Sequence, residues 1–435
     1  MSHVFARTDA PIPFAAAADG CQIWDEDGRR YLDASGGALV VGIGHGRHEV
    51  TDAVADQLNR VGYVHATQFR TAVLESYASE LAAVVPMDGA HVYPVSGGSE
   101  AVETALKMAR SYHLAQGEDR AIVLARRGSY HGNSRGALSV SGRLGMRRDY
   151  LPWLSHTVHV SAPYEYRCAF PDTHPDCAAA YARELEETIA AVGAENIAAF
   201  IAEPVCGAAL GACVPPAAYW ERIAEVCRRN GILFIADEVL TGFGRTGAWF
   251  ASQHWNLRPD IIAAGKGAGA GYWPLGLAIC NDRVHDVLAY NGFTHGFTYS
   301  HHAAGAAVGR AVLATVRRER LVEAAADNGP AFRDYLSDGL ARHPAVGDIR
   351  GIGMLWAVEL VADRQTKRPF ARGARVVENV VRAAAERGLL VYSSTGCADG
   401  VDGDVIVLGP PLSATRDELR EMADLCAQAV NAALA

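Results

Sequence analysis

The stretch ILFIADEVLTGFGRTG, residues 232–247, places two carboxylates, Asp237 and Glu238, directly after a run of apolar residues. A short apolar run that ends abruptly at polar residues is typical of a strand buried on both faces of a sheet. Similar runs occur at 121–125, 197–202, 261–264 and 275–280. The sequence therefore predicts an α/β fold with a mostly parallel central sheet.

Amphipathic stretches with a helical period lie between several of these runs, at 100–114, 179–192 and 217–229. Alternation of strand and helix predicts helices packed against the faces of the sheet. The two ends of the chain show a different pattern, with a polar hairpin predicted at 22–33 and a second group of strands from 347 onward. This second group comprises strands at 347–361, 389–392 and 405–408, with helices at 376–387 and 415–434.

These patterns predict two domains. We expect a large domain at 60–325 that contains the parallel sheet. A smaller α+β domain would combine residues 1–59 with residues 326–435.

The composition excludes several classes of protein. The chain has 435 residues and a formal net charge of −9, which argues against a broad nucleic-acid-binding surface. No apolar run reaches the ~18–20 residues of a membrane span, and the first residues lack the pattern of a secretory signal. The nine cysteines are scattered without a CxxC pair, which argues against a disulfide framework and a zinc site. We expect a cytoplasmic protein with no bound metal and no nucleic-acid or membrane partner.

Lysine chemistry has few candidates, because only three of the 40 lysine and arginine residues are lysine. Lys107 falls within a predicted helix and Lys367 in the polar stretch DRQTKRP, as expected for solvated lysines. Lys266 instead follows the apolar run 261–264 and stands among glycine and alanine residues. A lysine partly removed from water has a lowered pKa and becomes nucleophilic, as a Schiff-base former requires.

The residues that follow the other runs suggest a ligand site, because ligands bind at the carboxyl ends of parallel strands. The turn SGGS at 96–99 enters a predicted helix and is either an anion site or a plain helix start. Tyr130 is either a stacking ring or an ordinary loop aromatic. Asp237 either holds a proton on a heteroaromatic nitrogen or pairs with an arginine such as Arg245. An anion site, a stacking ring, a buried acid and an activated lysine together are what pyridoxal phosphate requires.

Six segments closely resemble those of the class III aminotransferases, which are fold-type I pyridoxal-phosphate enzymes. They are SGGSEAVETALKMAR, SYHG, AEPV, ADEVLTGFGRTG, AAGKGAG and GFTYSHHAAGAA, and the similarity covers nearly the whole chain. The resemblance implies that Lys266 forms the Schiff base and moves the proton, while Asp237 keeps the pyridine nitrogen protonated.

The same resemblance implies the other cofactor contacts. Val239 and Tyr130 would cover the two faces of the ring, and Gly98 and Ser99 would hold the phosphate. Thr298 resembles a threonine that binds the phosphate of the neighbouring subunit, which implies a homodimer with shared sites. Glu203 and His131 resemble an acidic residue and a histidine close to the cofactor.

Three features depart from the family pattern. Leu240 stands where relatives that use ornithine or 4-aminobutyrate have glutamine, which resembles the omega-amino-acid:pyruvate and amine transaminase branch. His301, His302 and Ala303 replace a common Gly-His-Pro. The loop 396–404 has no arginine to clamp a substrate carboxylate, which leaves Arg245 and Arg416 as possible substitutes. The aspartates of that loop suggest a substrate whose distal end is neutral or cationic.

The expected activity is a ping-pong transfer of an amino group from an amine or an omega- or alpha-amino acid to pyruvate or 2-oxoglutarate. A decarboxylating transaminase similar to dialkylglycine decarboxylase, or an aminomutase, would use the same cofactor and is the alternative. The formal GxGxxG at 242–247 and GxSxG at 132–136 both lack the strand–turn–helix context that their chemistry needs.

Overall fold

The computed structural model describes residues 3–5, 7, 12–174 and 176–434. Its strands are β1 (Ala15–Asp19), β2 (Gln22–Asp25), β3 (Arg30–Asp33), β4 (His91–Val95), β5 (Ile122–Arg126), β6 (Val158–Val160), β7 (Ile197–Ala202), β8 (Leu233–Glu238), β9 (Ile261–Ala264), β10 (Gly276–Cys280), β11 (Val346–Ile352), β12 (Leu355–Leu360), β13 (Leu389–Leu390), β14 (Tyr392–Thr395) and β15 (Asp404–Leu408).

The helices lie mainly between these strands and at the C-terminal end. They are α1 (Gly36–Leu39), α2 (His48–Arg60), α3 (Ala72–Ala82), α4 (Gly98–Ala115), α5 (Arg135–Val140), α6 (Leu144–Arg147), α7 (Ala178–Val192), α8 (Tyr219–Arg229), α9 (Asp282–Asn291), α10 (Ala303–Arg318), α11 (Leu321–Leu340), α12 (Val376–Ala385) and α13 (Arg416–Leu434). None of the helices in the described ranges combines the length and the apolar character needed to cross a bilayer.

The main sheet has seven strands in the order β4-β10-β9-β8-β7-β5-β6. Neighbouring strands from β9 to β6 are parallel, whereas β10 runs antiparallel to both β4 and β9. The predicted mostly parallel sheet is therefore confirmed. The apolar run at 275–280 is its reversed strand, because an apolar run shows burial but carries no information on direction.

Side chains of the central strands point alternately toward two layers of helices. In β8, Leu233 and Ile235 pack with α4 and α9 on one face, while Phe234 and Ala236 pack with α7 and α8 on the other. The apolar side predicted for α4 is confirmed, since Ala101, Ala105, Met108 and Ala109 are all buried. Burial on both faces explains why these strands contain continuous apolar runs.

Two smaller sheets bring the chain termini together. Strands β11, β12, β15 and β14 form an antiparallel sheet. The hairpin predicted at 22–33 is confirmed as β2 and β3, and β3 pairs in parallel with β13 near the other end of the chain. The apolar run predicted as one strand at 389–392 is divided between these two sheets, as β13 and the start of β14. The domain boundaries near 60 and 325 stay a prediction.

Candidate active site

The carboxyl ends of the parallel strands bring most of the predicted site residues together. Ala202 of β7 lies opposite Ala236 of β8, and Asp237 lies opposite Ala263 of β9. This register places Glu203, Asp237 and Lys266 at one edge of three adjacent strands. The turn before α4 and the segment after β5 reach the same edge, as the contacts below show.

Asp237 is buried and held in place by two hydrogen bonds. Nδ1 of His131 lies 2.6 Å from Oδ2 of Asp237, and the backbone N–H of Val239 donates to Oδ1 at 3.0 Å. Arg245, the alternative partner, donates instead to the carbonyl oxygens of Met354 and Pro410. The pair between Asp237 and an arginine is therefore wrong, and the carboxylate remains available to a ligand beside His131.

Glu238, the second carboxylate of the stretch 232–247, has a structural role. Its oxygens accept from the hydroxyl of Thr241, from the backbone N–H groups of Ala251 and Ser252, and from the hydroxyl of Ser252. Burial raises the pKa of Glu238, although these hydrogen bonds oppose the shift. These hydrogen bonds hold the segment after β8 in place, and they assign Glu238 a structural role instead of ligand binding.

Lys266 follows β9 with a backbone φ of 40°, in the left-handed region that side chains rarely adopt. Burial lowers the pKa of Lys266 to about 8, and Arg245 adds to the lowering, while Asp237 and Glu203 oppose it. At pH 7 such an amine is neutral roughly 300 times more often than one at the ordinary 10.5. The amine is therefore suited to nucleophilic attack on a carbonyl group.

An anion cradle lies at the start of the 18-residue helix α4. A Cβ atom at Gly98 would come within 2.7 Å of Cγ1 of Val239, so the backbone there lies close against this side chain. The hydroxyl of Ser99 accepts from the N–H of Asn133 at 3.0 Å, which joins the turn to the segment that carries His131. Free N–H groups at a helix N-terminus favour a phosphate.

Within the described residues, two buried polar atoms close to Asp237 have no hydrogen-bond partner. They are Nε2 of His131 and Oε2 of Glu203, and burial raises the pKa of Glu203. Arg126 donates to the backbone oxygen of Glu203 and lies 3.9 Å from Oε2. Buried polar atoms without partners indicate a missing ligand. Together with the cradle, Asp237 and Lys266, they fit pyridoxal phosphate.

Two other residues predicted to contact the cofactor, Tyr130 and Thr298, are not part of this buried group. Tyr130 is partly buried, and its electrostatic neighbours include Asp237 and Arg143. Thr298 is exposed, and its backbone oxygen accepts from the hydroxyl of Tyr63 at 2.8 Å. Within the described residues, no hydrogen bond or ion pair joins Thr298 to Lys266, and the role of Thr298 stays a prediction.

A cavity of about 360 Å³, whose lining includes Gly128, contains residues that were not predicted from the sequence. Among its lining residues are Arg143 and Arg147, and neither guanidinium group has a hydrogen bond or an ion pair within the described ranges. Arg127 and Arg167 also line it but are paired with Glu184 and Glu359. The only signal in the sequence is the cluster RLGMRR at 143–148, which does not follow a strand directly.

The two arginines proposed as carboxylate clamps are placed differently. Arg416 is exposed at the start of α13, where its Nε donates to Asn328. Arg245 is buried and held by two backbone carbonyl oxygens, as described above. The loop 396–404 lines the arginine cavity with residues 396–400, and the carboxylate of Asp399 accepts from two backbone N–H groups within the loop.

Comparison with known proteins gives matches over nearly the full chain. The family model for the class III aminotransferases matches residues 4–430. A putrescine–pyruvate aminotransferase of Pseudomonas aeruginosa is 37% identical over 415 residues, which span 94% of this chain and 88% of that protein. A diaminobutyrate–2-oxoglutarate transaminase of Halomonas elongata is 36% identical over 438 residues, which span 98% of this chain and 92% of that protein.

Comparison with a solved structure also gives a match over the full chain. The thermostable (S)-enantioselective omega-transaminase from Thermomicrobium roseum superposes with a TM-score of 0.93 and 37% identity. The superposition covers 100% of this chain and 97% of that one.

The lowered pKa of Lys266 predicts how the reactivity of its amine toward an acylating reagent changes with pH. In the cofactor-free chain, acylation of Lys266 by limiting acetic anhydride should rise with pH and reach half its maximum near pH 8, because only the neutral amine reacts. Mass spectrometry of the digested protein measures the extent at each pH, with Lys107 and Lys367 as references in the same sample. A midpoint for Lys266 two pH units higher would contradict the buried environment described here.

Proposed function

Because this chain belongs to the class III aminotransferase family, we propose that the site around Lys266 moves an amino group from an amine or an amino acid to a keto acid. The chain is a pyridoxal-phosphate-dependent aminotransferase, and the predicted family and fold type I are confirmed. The observation that carries the site assignment is the convergence of Lys266, Asp237 and Glu203 beside the N-terminus of α4.

Bound pyridoxal phosphate supplies an aldehyde for a Schiff base and a ring that accepts electrons from the substrate. Lys266 would hold the cofactor through its amine and, when free, would accept and return a proton at Nζ. Asp237, fixed by His131, would keep the proton of the ring nitrogen in place. Gly98 and Ser99 would bind the phosphate, while Val239 and Tyr130 would cover the ring. Glu203 and His131, each with a buried polar atom that lacks a hydrogen-bond partner within the described residues, would complete the contacts.

The donor is proposed from the relatives. One is named for putrescine and another for diaminobutyrate, and both substrates carry a terminal amine. Leu240 gives the pocket an apolar wall, since it packs close to Gly207 and into an apolar cluster that includes Tyr130. The short carbon chain of such a donor would pack against this wall.

Steady-state kinetics test the reaction. With putrescine or diaminobutyrate as donor and pyruvate or 2-oxoglutarate as acceptor, double-reciprocal plots should give parallel lines, as a two-step ping-pong transfer requires. Lys266→Ala should lose the visible absorbance of the bound cofactor and at least about 10³-fold in turnover, whereas Lys107→Ala should keep both. Release of carbon dioxide in step with turnover, or isomerisation without an acceptor, would favour the decarboxylating enzyme or the aminomutase instead.

The keto acid is proposed to place its carboxylate in the cavity lined by Arg143 and Arg147. Neither guanidinium group has a carboxylate partner within the described residues, so the two give this cavity a positive charge even with Asp399 in its lining, although the chain as a whole is acidic. His159 adds no charge near neutral pH, because burial and Arg147 lower its pKa to about 4. The cavity adjoins the segment before Tyr130, with Gly128 among its lining residues.

Substitution of the unpaired arginines tests this role. Arg147→Gln and Arg143→Gln should each raise KM for the keto acid about 10- to 100-fold, since a charge-assisted hydrogen bond contributes about 1.5–3 kcal/mol. The KM of a diamine donor should change little. Arg148→Gln is the matched control, because Arg148 is exposed and its partner is the adjacent Asp149. Equal effects on both substrates would show that the arginines act on the fold and not on the carboxylate.

We further propose that two chains share their sites through Thr298. Two exposed aromatic rings lie beside Thr298, those of Tyr299 and of Tyr63, which are 6.2 Å apart. Exposed aromatic clusters are typical of protein–protein interfaces. A second chain that covers them would bring each Thr298 close to the phosphate cradle of its partner.

Subunit mixing tests the sharing. Lys266→Ala and Thr298→Glu chains, each inactive or strongly impaired alone, should recover activity when they are unfolded, mixed and refolded together. One of the two sites in each mixed dimer would then contain both an intact Lys266 and an intact Thr298. If Thr298 served its own chain, both sites would carry a defect and mixing would give no gain. Light scattering on the mixture measures the assembly state.

A further inference from the structure

Two cysteines and a histidine converge in the segment between β6 and α7. Each of Cys168, His174 and Cys177 offers one ligand atom, and these three atoms lie within 4.8 Å of one another. The sequence analysis predicted no zinc site because it found no CxxC pair. The spacing here is Cys-x5-His-x2-Cys, which brings the side chains together only after the segment folds back on α7.

The donor atoms have a well-defined arrangement. Cys177 is the N-cap residue of α7, and its Sγ lies 3.6 Å from Nδ1 of His174. The Sγ of Cys168 accepts from the backbone N–H of Phe170 at 3.4 Å and from the hydroxyl of Tyr181 at 3.7 Å. Donors to the sulfur are the kind of outer contact that orients and stabilises a metal-bound thiolate.

The chemistry of the donor set selects the metal. Two sulfur atoms and one imidazole nitrogen suit Zn²⁺, whereas Mg²⁺ and Ca²⁺ require oxygen ligands. His174 is exposed and Cys168 partly exposed, while Cys177 is buried, so an ion can enter from solvent and keep a water as fourth ligand. Binding releases the two thiol protons, and two thiolates then balance the charge of the divalent ion.

We propose that Cys168, His174 and Cys177 form a binding site for a thiophilic divalent cation, with Zn²⁺ as the natural occupant. The site would fasten the segment 163–174 to the start of α7. That segment carries Tyr164 and Arg167, whose side chains both contact the buried carboxylate of Glu359 on β12. The metal would therefore brace the contact between the main sheet and the sheet of β11, β12, β14 and β15. This inference does not rest on the proposed substrates.

Cobalt substitution tests the proposal on the intact holoenzyme. After removal of any affinity tag, reduction of the thiols and removal of metal, titration with Co²⁺ should give one equivalent of bound ion with thiolate-to-cobalt charge-transfer absorbance and the intense visible bands of tetrahedral coordination. Zn²⁺ should displace it and abolish the bands. Elemental analysis of protein purified under reducing conditions should find one Zn²⁺ per chain.

Variants assign the ligands. Cys168→Ala, His174→Ala and Cys177→Ala should each abolish the charge-transfer bands or reduce the affinity for Co²⁺ at least about tenfold. Cys426→Ala and His156→Ala are the matched controls, a buried cysteine and an exposed histidine outside the cluster, and should keep the bands. Retention of the cofactor absorbance shows that each variant is folded.

Two results would overturn the proposal. One is a reduced wild-type protein that binds no Co²⁺ under these conditions. The other is Co²⁺ binding that survives all three alanine substitutions. A disulfide between Cys168 and Cys177 in air-purified protein, with no metal bound after reduction, would assign the pair to redox chemistry instead.

Discussion

The parallel register of β7, β8 and β9 is the constraint on which the site depends. Neighbouring parallel strands end at the same edge of the sheet, so the first polar residue after each apolar run reaches the same place. A one-residue shift of β9 against β8 would turn its side chains to the opposite face and move Lys266 away from Asp237. Because these strands are buried on both faces, their register depends on how individual side chains of different size fit against the two helix layers, and not on an alternation of apolar and polar residues.

Burial of the strand ends also determines the charge states of the site residues. A lysine amine, two carboxylates and a histidine share a region with little water, where each charge depends on the others. Arg245 contributes to this balance without touching the ligand, because its guanidinium is anchored by the carbonyl oxygens of Met354 and Pro410 and repels a protonated Lys266. The C-terminal part of the chain thus acts on the lysine through the position of one arginine.

A second group of buried charges joins the sheets. Glu359 of β12 is fully buried and accepts from Arg167, Arg350 and Tyr164, while Nε of Arg350 donates to the backbone oxygen of Gly211. Removing one partner from such a network leaves an uncompensated charge in the interior, which costs several kcal/mol. The network therefore fixes the relative position of β12 and of the segments that border the arginine cavity.

The sequence predicted the parts of the fold and of the site that depend on short-range patterns. The apolar runs gave the strands, and the residues directly after them gave Asp237 and Lys266. It could not predict the direction of β10, because burial alone does not fix direction. It also missed the pairing of His131 with Asp237, 106 residues apart, and the cavity around Arg143 and Arg147, since both arise from tertiary packing. The role of Thr298 was inferred from the resemblance alone and stays a prediction.

The left-handed backbone at Lys266 has a cost that a glycine would not incur. A side chain in that region destabilises the folded chain by roughly 1 kcal/mol relative to an unstrained backbone. Replacing Lys266 by glycine would relieve this strain and at the same time remove the buried amine. The backbone strain and the reactive group therefore belong to the same residue, and one cannot be removed in this way without the other.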